Sequence, residues 1–188
     1  MKNNFNIIIA GVGGQGLITL TKIIAEAVMA EGLDVKTSEL HGLSQKGGSV
    51  ETHIRFGKKV DSPLIAEGSA NLVLSLEIVE GLRKLHYANK NTKFLINRYS
   101  LPYEESPSNK KIEQIIDEEI EGEKHIIEAS KICKEELGKE VLSGIYLLSY
   151  AVNNDLIPLK PKSILKAINN LVPKKYLALN KKAFNLVN

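Results

Sequence analysis

The hexapeptide GVGGQG at residues 11–16 is the feature that most constrains the fold of this 188-residue chain. It directly follows the apolar run NIIIA (6–10), whose β-branched residues suit a strand covered on both faces. From Leu17 onwards, apolar residues recur at helical spacing, and Gly32 stands where such a helix would end. The chain therefore begins with a strand, a glycine loop and a helix.

The next segments depart from a simple alternation of strands and helices. Residues 33–40 predict a second strand, and 41–49 form a second glycine-containing loop where a helix would be expected. Residues 50–57 alternate strictly between apolar and polar side chains, which predicts a half-exposed strand with its charged residues in solvent. A turn into a further short extended segment follows. We therefore expect a mixed sheet with an antiparallel part.

The rest of the chain alternates again before it becomes helical. Strands are predicted at 70–76, 92–97 and 123–129, and helices at 77–88, 110–122 and 130–138. The sequence predicts an α/β fold with three layers, a Rossmann-like start, a mixed and partly antiparallel sheet, and a helical C-terminal third. We expect one domain over residues 1–188, because no low-complexity linker divides the chain.

Composition excludes several classes of function. With 43% hydrophobic and 25% charged residues the chain is typical of a globular protein. No apolar run approaches the roughly 20 residues of a membrane helix, and the N-terminus lacks the pattern of a signal peptide. We expect a cytoplasmic protein without a membrane partner. The single cysteine, Cys133, excludes an intramolecular disulfide and a cysteine-bound iron–sulfur cluster held by this chain alone.

Charge is unevenly distributed along the chain although the net charge is only +3. After Asp155 no carboxylate side chain follows, whereas seven lysines do. This pattern is typical either of a solvated lysine face or of a surface for an acidic partner. The lysines are dispersed and lack interleaved aromatic residues, so we expect no nucleic-acid partner. The four histidines show no i, i+4 pair, and no metal site is predicted.

The first glycine loop is the primary candidate for ligand binding. Its residues Gly11, Gly13 and Gly16 fit G-x-G-x-x-G, and Gly14 and Gln15 complete the candidate site. Backbone N–H groups at the start of the following helix favour an anion, with about 0.3–2 kcal/mol from the helix dipole. The alternative is that the glycines serve only the close packing of strand and helix.

The second loop carries further candidate residues, namely Ser44, Gln45, Lys46, Gly47 and Gly48. Consecutive glycines beside a lysine and hydroxyl groups are typical of an anion-binding concavity, although an ordinary turn has the same composition. Because ligands collect at strand ends in open α/β sheets, we expect the two loops to share one site.

Three other nucleotide-binding classes have to be compared with these loops. A stand-alone NAD(P)- or flavin-dependent oxidoreductase would use an acidic residue at the end of the second strand, where Glu39 stands. Gly16 is not followed by Lys and Ser/Thr, which argues against a Walker-type ATPase. An adenylate-forming enzyme of the E1 type also has a GxGGxG loop, but the sequence lacks its arginine and aspartate constellation. His41 has no assigned catalytic partner.

Two longer stretches carry a family resemblance. GVGGQGLITLTKIIAEAVMAEG, followed by SELHGLSQKGGSVETHIRFG, resembles the gamma domain of the 2-oxoacid:ferredoxin oxidoreductase family, and within it the small (beta) subunits of the indolepyruvate enzymes. The resemblance extends over nearly the whole chain. Members of the family commonly carry arginine at the position of Lys46, so the charge is kept here without the planar fork.

The resemblance implies a subunit that completes an enzyme and is inactive alone. Such enzymes decarboxylate an aryl pyruvate or another 2-oxoacid oxidatively, making acyl-CoA, CO₂ and reduced ferredoxin. Thiamine diphosphate, Mg²⁺ and 4Fe–4S clusters are expected in the large (alpha) subunit. This chain agrees, because it has no GDG motif and one cysteine. We expect no catalytic residue here and no cofactor bound by the chain alone. The glycine loops are expected to approach the partner's active site, where they help to bind CoA or shape the substrate pocket.

Overall fold

The computed structural model describes residues 4–42, 47–101 and 108–187. The strands are β1 (Phe5–Val12), β2 (Asp34–His41), β3 (Ser49–Gly57), β4 (Leu72–Ser75), β5 (Lys93–Asn97) and β6 (Lys124–Ile127). The helices are α1 (Leu17–Ala30), α2 (Ile78–Leu82), α3 (Asn109–Glu119), α4 (Ala129–Leu137), α5 (Ser143–Asn153), α6 (Pro161–Leu171) and α7 (Lys174–Phe184). Short 3₁₀ turns lie at Leu85–Tyr87 and Glu140–Leu142.

The six strands form one mixed sheet in the order β2-β3-β1-β4-β5-β6. The pairs β1–β4, β4–β5 and β5–β6 are parallel, whereas β3 is antiparallel to both β1 and β2. The predicted mixed sheet is therefore confirmed. Because β3 lies between β1 and β2, the strand that follows α1 is at the edge of the sheet rather than beside β1.

Helices cover both faces of the sheet and give the predicted three layers. The larger core lies between the sheet and α1, α4, α5, α6 and α7, and it takes Ile7 and Ile9 of β1. The smaller core lies under α2 and α3 and takes Ile8 from the opposite side of the same strand. Side chains of β1 alternate between two apolar layers, so its continuous apolar run is explained. The predicted helical C-terminal third is also confirmed.

The prediction that β3 is half exposed is wrong. Glu51 and His53 are only 8% and 2% exposed. Glu51 Oε1 accepts hydrogen bonds from His53 Nε2 at 2.6 Å and from the Tyr87 hydroxyl at 2.7 Å, and Lys84 Nζ lies 2.6 Å from Oε2. His53 Nδ1 accepts the Ile65 N–H, so its proton lies on Nε2. The polar residues of β3 alternate as they would on an exposed strand. They can be buried because they form hydrogen bonds and an ion pair with one another and with neighbouring side chains.

Two local predictions between β3 and β5 also differ from the structure. Residues 58–71 contain no strand, although an extended segment was expected there. The helix expected over 77–88 is divided into α2 and the 3₁₀ turn, where bonds of three-residue spacing join Lys84 N to Gly81 O and Tyr87 N to Lys84 O. Lys84 and Tyr87 of this segment both contact the carboxylate of Glu51.

Candidate functional site

The first glycine loop lies at the carboxyl end of β1, where the chain leaves the sheet for α1. There the connections diverge, because α1 covers one face of the sheet and the helix after β4 covers the other. Such a switch point is where open α/β sheets bind ligands. Gly14 and Gly16 have φ of 102° and 81°, a left-handed conformation that other residues rarely adopt. These two positions therefore require glycine for their backbone conformation.

The N-terminus of α1 has no cap from a side chain. Gly16 occupies the cap position, and the first turn contains no acidic residue. Among the described residues, no acceptor is bonded to the N–H of Gly14 or of Gly16. Unsatisfied N–H groups at a helix start, together with the helix dipole, favour a negatively charged ligand.

Gln15 and Gly11 support the loop from inside. Gln15 Oε1 accepts the N–H of Val12 at 2.9 Å, and its Nε2 donates to the carbonyl of Leu76 at 3.2 Å. The Gln15 side chain thus joins the ends of β1 and β4. A Cβ on Gly11 would lie 2.6 Å from Gln15 Oε1 and 3.1 Å from Leu17 Cδ1, so a larger residue here would displace the Gln15 side chain.

The second glycine loop contacts the first. The N–H of Gly13 donates to the carbonyl of Gly48 at 2.9 Å, so the two loops lie side by side. Gly47 has φ of 70°. Ser44, Gln45 and Lys46 lie outside the described residues.

A cavity of about 270 Å³ lies between the two loops and the ends of the parallel strands. Gly13, Gly14 and Gly47 line it together with Tyr99 and Leu101, which follow β5. Its remaining walls carry several oxygen-bearing side chains, namely Gln15, Ser130, Glu140 and Ser143. The cavity therefore combines glycine backbone with a few polar groups, as ligand sites do.

A wider cleft of about 840 Å³ lies on the other side of the first loop. Gly13 and Gly14 line this cleft as well, opposite Glu39 and His41 of β2. Both β2 side chains are exposed, and His41 Nδ1 lies 3.4 Å from the carbonyl oxygen of Gly42. The glycine loop thus separates two concave surfaces, and both give access to its backbone.

A model of the family described as pyruvate ferredoxin/flavodoxin oxidoreductase matches residues 6–187. The chain belongs to this family. The match begins within β1, contains both glycine loops and ends after α7. The loops are therefore part of the family's own domain.

Relatives of this oxidoreductase-family chain carry a more specific name. Indolepyruvate oxidoreductase subunit IorB of Pyrococcus horikoshii is 33% identical over 97% of this chain and 93% of its own length. The protein of the same name from Archaeoglobus fulgidus is 36% identical over 96% of this chain and 92% of its own length. In each comparison the sequence similarity thus covers nearly the whole length of this chain and of the relative.

Solved structures of other oxidoreductases share the fold of this family member. The gamma subunit of a keto/oxoacid ferredoxin oxidoreductase from Geobacter sulfurreducens matches with a TM-score of 0.72 and 19% identity, over 97% of this chain and 95% of that one. A 2-oxoglutarate:ferredoxin oxidoreductase chain from Magnetococcus marinus was solved with 2-oxoglutarate, coenzyme A and succinyl-CoA bound. It matches this chain with a TM-score of 0.74 and 18% identity. That match covers 99% of this chain and 30% of the other, so the same fold also occurs within a longer polypeptide.

The donor groups of this family member do not fit an iron–sulfur cluster. The only cysteine of the sequence, Cys133, is buried on α4, and burial raises the pKa of its thiol to about 11. Over residues 4–42, 47–101 and 108–187, no group of three His, Cys, Asp or Glu is arranged to hold a metal ion. In the same ranges no helix is long and apolar enough to cross a membrane.

Sequence reasoning missed a pair of buried carboxylates behind the loops. Glu77 accepts the N–H of Glu80 at 2.8 Å and that of Leu101 at 3.3 Å, and burial raises the pKa of Glu77. Glu80 accepts hydrogen bonds from the Ser49 hydroxyl at 2.5 Å and from Arg83 at 2.6 Å. Ser49 directly follows the second glycine loop, so these bonds hold that loop against α2. Only their position after a buried strand could have indicated them.

Proposed function

We propose that this chain is the small subunit of a ferredoxin oxidoreductase for indolepyruvate or another aryl 2-oxoacid, and that it is inactive alone. The observation that carries the proposal is the near-complete match to subunits named for indolepyruvate oxidoreductase. The holoenzyme would make acyl-CoA, CO₂ and reduced ferredoxin. Thiamine diphosphate, Mg²⁺ and 4Fe–4S clusters, held by a large alpha subunit, would supply the carbanion and electron-transfer chemistry.

The part proposed for this chain is to bind phosphate groups of CoA next to the partner's active site. The N–H groups of Gly14 and Gly16 at the start of α1 suit a phosphate oxygen, and Gly13 and Gly48 hold the second loop beside them. Lys46 of the second loop would add a positive charge. No proton transfer is assigned to residues of this chain, which binds and orients while the partner performs the reaction.

The strand order disfavours the alternative of a stand-alone NAD(P)- or flavin-dependent enzyme. In a dinucleotide site, the acidic residue stands on the strand next to β1 and binds the ribose. Here β3 occupies that place, and Glu39 is displaced by one further strand, about 4.8 Å sideways. The alternative predicts that the purified chain binds NADH or FAD, and equilibrium dialysis would test this directly.

The proposal is tested by reconstituting the chain with the large subunit encoded by the same organism. We expect ferredoxin reduction that depends on indolepyruvate and CoA, and only when both subunits are present. Alanine keeps the backbone N–H but does not readily adopt the φ of 102° found at Gly14, so Gly14→Ala should turn this N–H away from the phosphate. In the complex, the KM for CoA should rise about fivefold, as expected for about 1 kcal/mol from a lost hydrogen bond. Lys46→Ala should act in the same direction.

Gly32→Ala is the matched control. Gly32 also has positive φ, 76°, and a Cβ at either glycine would contact nothing within 4 Å. It lies beyond the opposite end of α1, about 20 Å from the loop. An unchanged KM for CoA in the assembled Gly14→Ala complex would refute the phosphate role. An isolated chain that reduces a nicotinamide would refute the subunit role.

A further inference from the structure

A third concave surface, the α1–α7 groove, lies next to the first glycine loop and has a volume of about 680 Å³. It runs between the start of α1, the 3₁₀ turn before α5, and α7. Its walls are largely aliphatic and aromatic, with contributions from Leu20, Leu142, Ile145, Val172, Tyr176 and Leu179. Gln15 and Gly16 form its end, so the groove begins where the candidate anion site begins.

The groove exposes apolar side chains that contribute little to the core. Val141 is 56% exposed and Tyr176 is 51% exposed, although both line the groove. Contiguous exposed apolar surface is typical of protein interaction sites. Tyrosine is enriched among the interface residues that contribute most of the binding free energy. The groove therefore has the character of an interface.

The rim of the groove is positively charged. Lys139 and Lys175 are exposed on its two sides, and the Lys175 ammonium lies 4.7 Å from the centre of the Tyr176 ring. Within the described ranges neither lysine forms an ion pair. The neighbouring Glu140 lies 3.9 Å from Lys134 and lines the smaller cavity instead. No carboxylate side chain follows Asp155 in the sequence to compensate this charge.

We infer that the α1–α7 groove docks a segment of the large subunit that presents apolar side chains flanked by carboxylates. This inference rests on the proposed function, because it assigns the partner's contact to a surface of this chain. Apolar side chains fill the groove, and the flanking carboxylates pair with Lys139 and Lys175. Gly16 lines the groove and also caps the start of α1 at the candidate anion site. Docking in the groove therefore brings the partner directly to the glycine loop.

Two pairs of substitutions test the inference in the reconstituted complex. Charge reversal of the rim, Lys139→Glu with Lys175→Glu, should weaken binding to the large subunit at least about tenfold and reduce its dependence on salt. Its control is Lys162→Glu with Lys166→Glu, two exposed lysines of α6 outside the groove, which makes the same change in net charge. We expect the control to change affinity less than about twofold.

Tyr176→Glu should also weaken binding at least about tenfold, and it should do so at high salt as well. Met29→Glu is its control, because Met29 is an equally exposed apolar residue, at 55%, at the far end of α1. Affinity is measured by biolayer interferometry with the large subunit immobilised, and circular dichroism melting checks that each variant is folded.

The outcomes separate the two proposals. A wild-type chain that neither binds the large subunit nor restores its activity refutes the proposed function. A wild-type chain that binds, with both groove variants binding as their controls do, refutes the docking inference alone. The inference is also overturned if the groove variants bind normally but raise the KM for CoA or the oxoacid, or if they abolish self-association of the chain, because another occupant then fills the groove.

Discussion

Replacing Glu51 by glutamine should destabilise the protein by about 3 kcal/mol. Burial of this carboxylate would raise its pKa, but hydrogen bonds from His53, Lys84 and Tyr87 outweigh burial and lower the pKa from 4.5 to about 2. Each unit of this pKa shift corresponds to about 1.4 kcal/mol by which the folded state favours the ionised form of Glu51. Glu51→Gln removes this charge and leaves the Lys84 ammonium, 10% exposed, without its partner.

Urea unfolding of four proteins measures the effect, namely the wild type, Glu51→Gln, Lys84→Met and the double variant. Removing one member of a buried ion pair costs about 3–5 kcal/mol, whereas replacing both members by neutral groups costs much less. The double variant should therefore be more stable than either single variant. Glu39→Gln, on the exposed edge strand, should change stability by less than about 0.5 kcal/mol.

The dependence of stability on pH provides the second readout. The pKa of Glu51 is lowered by folding, so its contribution is fully present above pH 4.5 and is lost as the pH falls towards about 2. The wild type should lose stability more steeply over this range than Glu51→Gln. If Glu51→Gln unfolds at the same urea concentration as the wild type and with the same pH profile, the buried network does not stabilise the fold as argued.

Two further predictions concern Cys133 and Gly122. Burial raises the pKa of Cys133 to about 11, so iodoacetamide at pH 8 should leave the native chain unmodified and alkylate it in denaturant, as mass spectrometry would detect; labelling at equal rates in both states contradicts the buried position. A Cβ at Gly122 would overlap the carbonyl oxygen of Thr92, so Gly122→Ala should cost about 2 kcal/mol in urea unfolding, whereas Gly42→Ala, with open space around it, should be nearly neutral.

The order of strands and helices could be predicted from the sequence because each strand is bounded by glycine, proline or a change in periodicity. The run at 6–10 and the helix ending near Gly32 lie where the pattern indicates, and Gly32 has the expected positive φ. Strand neighbours could not be predicted in the same way. The position of β3 between β1 and β2 depends on contacts distant in sequence, which no local pattern records.

The exposure of β3 was mispredicted for a related reason. Period-two alternation separates two faces of a strand, but it does not tell whether the polar face meets water or other polar groups. The residues that cover Glu51 come from positions 84 and 87, more than 30 residues later. Their own pattern predicted a regular helix, and nothing in that local pattern shows that Lys84 and Tyr87 meet a carboxylate of β3.

The glycine loop shows why a motif alone leaves its ligand undetermined. G-x-G-x-x-G describes a backbone with a tight turn and an open helix start, and both are present here at Gly14 and Gly16. Selectivity for a dinucleotide comes from the neighbouring strand, which in this fold is the antiparallel β3. The insertion of β3 therefore leaves the open helix start of the loop in place while it removes the usual position of the ribose-binding carboxylate. A fold altered in this way suits a ligand whose remaining contacts come from another polypeptide.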